Sequence, residues 1–271
     1  MVEFVQPPLT TKQKRTSLWA GRRLHWKQFA PLLTVLFLLV LWQLVVMMGW
    51  LPPFILPAPI SVARKALEVI ADGTLQGHLA TTLYEMVMGL LFGVSIGTVL
   101  GYLIAKSSLL ESLLSPLIVA FQATPVIAYA PLLIIWFGTG LMSKVVTCAI
   151  VVFFPMLINT MIGVRSVPQD LRDLFLSFNA GYRQIALQLE LPSALPIFLA
   201  GLKTSATLAL IGAVVGEFVS AKSGLGFMVN LARNQFDTPL VLVGVFTMTA
   251  VALSFYGMVT LLERRLLRWK V

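Results

Sequence analysis

Apolar residues fall in long runs along this chain, separated by polar breaks of very different character. A helix crosses a bilayer in about 20 residues. Apolar stretches near that length cover about 29–49, 79–105, 113–137, 145–163, 196–219 and 240–262. The pattern predicts an all-α, polytopic membrane protein with six transmembrane helices. The short alternating segments of a membrane β-barrel are not seen. After the first span, Leu51-Pro-Pro-Phe-Ile-Leu-Pro-Ala-Pro59 forbids continuous helix, and Ser61–Ala71 suits a short amphipathic helix on the far side of the membrane. A polar loop with room for a short helix fills 220–239.

The longest polar break is Leu171–Pro196. Leu171, Leu174, Phe175, Phe178, Tyr182, Ile185, Ala186 and Leu189 recur at helical offsets and form one stripe, with Arg172, Asp173, Arg183, Gln184 and Gln188 elsewhere. Pro168 suits a first helical turn. Asn179-Ala180-Gly181 interrupts the helix, and Leu191-Pro192 is expected to end it. Such a segment either packs into a partner or lies along the membrane surface.

Within the spans, Gly89, Gly93, Gly97 and Gly101 recur every four residues and make one smooth helical ridge. It serves close helix packing or lines a path. Gly212 and Gly216 form a second close-packing pair. Pro116, Pro125 and Pro131 must break or kink the third span, with Gln122, Thr124 and Tyr129 adding polarity around Pro125. Freed backbone groups are tolerated only against protein or water, so the break marks a translocation path or serves packing alone. Glu217 ends the fifth span as a functional or an interfacial carboxylate, and Glu85 reads as interfacial or paired. Lys203 lies where it can snorkel to the polar boundary.

Composition agrees: 58% of the 271 residues are hydrophobic and 11% charged, against about a quarter charged in a soluble domain. The net charge of +9 follows the span ends and does not indicate nucleic acid. With six spans, fourteen Lys and Arg fall on the side of both termini and five on the other, which places both termini in the cytoplasm. Residues 1–28 form a basic cytoplasmic N-terminus, 29–263 the membrane domain with a cytoplasmic loop at about 166–193, and 264–271 a cytoplasmic tail. The first span is full length with no small-residue cleavage site after it, so it reads as retained and not as a signal peptide. Trp26, Trp42, Trp50 and Trp269 sit near span ends, as in an interfacial belt. Cys148, the only cysteine, allows no intrachain disulfide.

Catalytic chemistry finds no foothold. No phosphate loop of the G-x-x-x-x-G-K-S/T type occurs, so ATP is not bound by that route. His25 and His78 stand at ends of separate spans, no H-E-x-x-H occurs, and no metal site is expected. Nothing here forms a catalytic constellation, and the chain is not expected to be an enzyme.

Three further sets of residues carry a resemblance. Asn179-Ala-Gly-Tyr-Arg-Gln, Leu191-Pro-Ser-Ala-Leu-Pro196 and Gly201-Leu-Lys203 are similar to the cytoplasmic signature of ABC importer permeases. Leu56-Pro-Ala-Pro59, Ala130-Pro-Leu-Leu-Ile-Ile-Trp-Phe-Gly138 and Gly216-Glu-Phe with Ser223-Gly-Leu-Gly226 resemble the nitrate/sulfonate/taurine group. Gln122-Ala-Thr-Pro125 leading to Ala130-Pro131 looks closer to the thiamine-pyrimidine-precursor and riboflavin-type branch. The usual motif glycine falls on Asn179, the next-best residue for a left-handed turn. Leu174 and Phe175 stand where alanines are usual, after an acid at Asp173.

The resemblance implies a type I ABC importer permease, working as a homodimer in the prokaryotic inner membrane. Its partners would be two ATP-binding subunits, which hold the ATP and Mg, and an extracytoplasmic solute-binding protein. Asp173, Asn179, Ala180, Gly181, Tyr182, Arg183, Leu191 and Pro192 would couple to the ATPase. Gln122, Thr124, Pro125, Tyr129 and Glu217 would line the path. The cargo would be a small polar organic solute or anion. The competing reading is an ion- or proton-coupled secondary transporter, for which the kinked third span argues.

Overall fold

The computed structural model describes residues 23–268. The N-terminus through Arg22, Trp269 and Lys270 lie outside the described residues, as do the side chains of His25 and Trp26. The chain divides at Pro59 into two units. In the first, helix α1 (Arg23–Met47) ends near Gly49, whose φ of 68° only glycine adopts without cost. The proline-rich segment then turns back, and the Trp42 indole donates to Pro57 O at 3.1 Å.

The second unit is built from helices throughout. α2 (Pro59–Ala71) leads to the long apolar α3 (Thr74–Lys106), then α4 (Ser108–Ala123) and α5 (Val126–Phe137). α6 (Leu141–Arg165), α7 (Gln169–Ser177), α8 (Tyr182–Ser220), α9 (Leu225–Asn234) and α10 (Thr238–Leu266) follow. Among the described residues, α3, α6, α8 and α10 are each long and apolar enough to cross a membrane. α4 and α5 form a further pair bent by 98°. α1 adds a shorter apolar stretch, Leu32–Met47. The six crossings expected from the sequence are reached only if α1 and the bent pair are both counted.

The bend follows from Thr124-Pro125. Pro125 cannot donate to the helix, and the residue before a proline is pushed to extended backbone; Thr124 sits at φ −76°, ψ 123°. Of the break or kink expected here, the stretch shows the break: two helices nearly at right angles.

α3, α6 and α8 form the core because the glycine ridge faces α6. A Cβ built on Gly93 would stand 2.6 Å from Ala149 O, one on Gly97 2.7 Å from Phe153 O and one on Gly101 2.5 Å from Leu157 O. At Gly89 the same atom would strike the Cys148 side chain. On α8, Gly212 presses on Cys148 Cα, with 2.7 Å to an added Cβ, and Gly216 on Lys144. The ridge and the Gly212–Gly216 pair together bring three helices into backbone contact, the device small residues supply where no hydrophobic drive operates. Met86, Val152, Met156, Leu199, Ala209 and Ala213 fill the remaining interior.

One expectation is corrected. Leu191-Pro192 does not end a helix: α8 runs from Tyr182 through both residues and through Pro196 to Ser220. A π-helical turn over Ile185–Glu190 makes this possible. An α-turn would drive the Pro192 ring into the carbonyl four residues earlier, and the wider turn relieves that contact. The short helix for which the polar stretch 220–239 leaves room is α9, and its Leu225, Met228 and Ala232 are buried.

Candidate coupling turn and translocation cavity

α7 ends in a complete left-handed cap. Asn179, at φ 55°, donates its N–H to Leu176 O at 2.9 Å, and Ala180 N–H reaches Phe175 O at 3.0 Å. These are the two bonds of a Schellman motif, with Asn in the position glycine usually takes. The next helix starts at once: Gln184 folds back so that its Oε1 accepts from Gly181 N–H at 2.8 Å. Nine residues of α7 and the first turn of α8 are thereby joined through a tight corner.

That corner is exposed. Tyr182 is 95% exposed and Phe178 77%. Asn179, Gly181 and Arg183 are exposed beside them, with Ala180 half-buried. Asp173 is exposed on α7 and accepts from Gln169 Nε2 at 3.0 Å. Leu191 and Pro192 do not join this surface. They lie about 13 Å further along α8 at the usual helical rise, where Leu191 lines a groove with Tyr102 and Phe198.

A second feature of this end has no counterpart among the residues the sequence pattern singles out. Glu190 is 1% exposed, yet accepts from Arg172 of α7 at 2.5 Å, from Lys106 at the end of α3, and from the Tyr102 hydroxyl at 3.3 Å. Its sequence signal is faint: Glu190 is the one acid between Asp173 and Glu217. Next to it, Arg165 pairs with Glu111 and donates to Ala105 O at 3.3 Å, which caps α3.

At the α4–α5 bend, Gln122, Thr124, Pro125 and Tyr129 line one open cavity of about 280 Å³, together with Phe121, Phe154, Pro155, Leu208 and Ile211. Four of the five residues expected on the path thus share one cavity.

Glu217 does not line that cavity. It is 1% exposed and accepts from Thr82 Oγ1 at 2.6 Å and from Gly226 N–H at 2.5 Å. Leu225 N–H donates to Thr82 Oγ1 at 2.8 Å, and Gly224 N–H to His78 Nδ1 at 3.1 Å. The buried carboxylate and two side chains of α3 therefore satisfy the free N–H groups at the start of α9, where negative charge is favoured. Gly224, at φ 112°, and Gly226 leave no room for a Cβ against Glu217. The spacing of Gly216-Glu-Phe and Ser223-Gly-Leu-Gly226 describes this contact. Glu85, also buried, lies near Glu217 and Lys144, and its carboxyl oxygens accept no hydrogen bond. Lys144 donates to Gly140 O at 3.0 Å and to Thr139 O beyond the end of α5. Lys203 pairs with Glu263 of α10 at 2.5 Å.

A hydrolase nucleophile elbow is not expected from the sequence, yet its letters do occur at Gly93-Val94-Ser95-Ile96-Gly97. It runs inside α3, with no strand or sharp turn to present Ser95.

Residues 93–268 match the family described as binding-protein-dependent transport system inner membrane component. The riboflavin transport system permease protein RibX of Chloroflexus aurantiacus is 41% identical, over 92% of this chain and 93% of its own. The formylaminopyrimidine transport permease protein ThiX of Halalkalibacterium halodurans is 35% identical, over 89% of this chain and 95% of its own. A solved amino acid ABC transporter has the same fold, with a TM-score of 0.57 at 18% identity over 73% of this chain and 96% of that one.

Proposed function

We infer that this chain, which belongs to the binding-protein-dependent transport inner-membrane family and is a permease subunit of an ABC importer, couples to its ATPase through the Asn179–Arg183 corner. Family membership sets aside the secondary-transporter reading. The observation that carries the coupling reading is the exposure of Tyr182 and Phe178 on a backbone corner fixed by a complete cap. A rigid corner that offers two aromatic rings and little charge suits insertion into a groove of another protein.

In this reading six spans place both termini and the corner in the cytoplasm, with the chain in the inner membrane. Two copies stand over two ATPase subunits, which hold the ATP and Mg, and a solute-binding protein docks on the opposite face. The cargo is a planar nitrogen heterocycle. RibX and ThiX carry riboflavin and formylaminopyrimidine in their names, both compounds of that kind. The cavity of Gln122, Thr124 and Tyr129 offers amide and hydroxyl groups beside Phe121 and Phe154, a set able to hydrogen-bond and stack with such a ring.

Purification of the tagged chain from its native membranes in mild detergent tests the coupling. An ATPase subunit should accompany the wild type and be lost with Ala180→Glu, which puts a charge into the corner. Equal recovery with both would refute docking at this turn. Uptake of labelled riboflavin against taurine in vesicles holding the purified complex tests the cargo, and a preference for taurine would refute it.

A further inference from the structure

The π turn over Ile185–Glu190 and the cluster at its end stand on top of one another. Leu191 N–H bonds to Ala186 O, five residues back. Such turns are rare, and they gather at functional sites. Glu190 is the last residue of the turn, and its partners come from two other helices: Arg172 from α7, Tyr102 and Lys106 from α3. Among the described residues, the Arg172–Glu190 pair is the one ion pair that joins α7 to the rest of the bundle. Beside the turn, a groove of about 480 Å³ separates it from α3 and α6. Thr98 and Thr160 line that groove, and their hydroxyls make no hydrogen bond.

Stability alone is a poor reason for this arrangement. A buried ion pair is often no better than apolar residues of equal volume. What it supplies is a directional tie, and here the tie joins three elements at a single carboxylate. The turn beside it is under-packed on one side, so it can change its winding without displacing α3 or α6.

We propose that Glu190 is the transmission residue of this permease: it fastens α7 to α3 and to the base of α8, and the π turn is the compliant joint through which movement of the corner enters the bundle. The inference rests on the coupling reading above. Movement of α7 toward or away from the membrane pulls on Arg172, which moves Glu190 and with it the ends of α3 and α8. Without the tie, α7 moves with the ATPase while the long helices stay where they are.

The test uses the chain purified together with the ATPase subunit it captures. A bimane label on Phe121→Cys, in the wall of the α4–α5 cavity, reports on the bundle, and the native Cys148 is fully buried and silent. Trapping the complex with ATP and vanadate should change the label's emission when Glu190 and Arg172 are intact. Arg172→Gln and Glu190→Gln should still capture the ATPase but reduce that change about fivefold or more, the usual size of a coupling between sites. Arg172→Lys should restore it. Arg172 is one-third exposed and Lys106 still pairs with Glu190 in its absence, so Arg172→Gln should melt within a few degrees of the parent.

A full nucleotide response in both Gln variants overturns the transmission role and leaves docking standing. A response that falls only in step with the melting temperature, without rescue by Arg172→Lys, overturns it too. So does a labelled parent that holds the ATPase yet gives no nucleotide response. A parent that captures no ATPase refutes the docking reading, and this inference with it.

Discussion

Gly93→Ala isolates what the glycine ridge does. The added Cβ would lie 2.6 Å from Ala149 O and 2.8 Å from both Val152 Cβ and Val152 Cγ1. Ordinary van der Waals contact of these atoms begins near 3.4 Å, so α3 and α6 must part by most of an ångström. Neither helix can bend locally to absorb this, because the next glycines along the ridge are as tight: Gly97 meets Phe153 O and Gly101 meets Leu157 O. A gap of 0.5–1 Å already forfeits about a quarter to a half of each dispersion contact, and overpacking of this kind costs about 1–3 kcal/mol. Gly257, in α10, has nothing within 4 Å of an added Cβ. Gly257→Ala should therefore gain about 0.4–1 kcal/mol from the reduced freedom of the unfolded chain. The two substitutions add the same methyl group to membrane-embedded helices and should differ by about 1.5–4 kcal/mol in opposite directions. Thermal unfolding of the detergent-solubilised protein, followed by size-exclusion chromatography, measures the difference. A Gly93→Ala protein that melts with or above Gly257→Ala would refute backbone contact along the ridge.

Asn179→Gly should keep the α7 cap and its protease resistance, whereas Asn179→Val should cost about 1–2 kcal/mol, because a β-branched residue resists the left-handed turn; equal rates of cleavage near 179 in both would refute the cap. Glu217→Ala leaves the Gly226 N–H without its acceptor and should destabilise by about 1–3 kcal/mol, seen as faster hydrogen exchange in α9 than in α10. Gly224→Ala should fail in the same way, since its φ of 112° and the Glu217 carboxylate both exclude a Cβ. The Thr74 N–H bond holds Asp72 below the usual carboxylate range. The start of α3 should therefore keep its cap at neutral pH and lose it only below about pH 3.8, and exchange of the Thr74 amide against pH follows this. The Asp237 carboxylate holds the Lys65 ammonium above 10.5, so the tie from α2 to the start of α10 should persist below that pH and be lost only as pH rises past it; release near pH 9 would refute the pairing.

Periodicity made some of this molecule legible from the letters alone. Apolar runs of about 20 residues located the long helices, and glycines at steps of four located the face on which α3 meets α6. The Asn179 turn was readable because left-handed backbone leaves few residue types to choose from. Proline was less informative than its reputation. Pro125 separates two helices, as a helix breaker should, while Pro192 and Pro196 ride inside α8. For Pro192 the difference lies in a π turn that no local pattern announces. The ties between distant parts of the chain were hidden for a different reason. Glu190 and Arg172 are 18 residues apart, Glu190 and Lys106 84, and a lone acid in a sequence carries no mark of which cation it will meet.

The positions of the two glutamates of α8 give those hidden ties a common logic. In a chain with 11% charged residues, α8 carries Glu190 near one end and Glu217 near the other, about 40 Å apart at the usual helical rise. Each is 1% exposed, and each collects donors from α3 together with donors from a short helix beside it, α7 at one end and α9 at the other. Burial of an unpaired carboxylate costs several kcal/mol, and release of either short helix would leave its charge to the α3 donors alone. The two ends differ in how firmly they hold. Around Glu217 the glycines leave no space, and the donors are backbone N–H groups fixed by α9 itself. Around Glu190 the donors are long side chains one-third exposed, next to a groove and a π turn. A helix held rigidly at one end and through flexible arms at the other can pivot, and the flexible end is the one that carries the exposed corner at Tyr182.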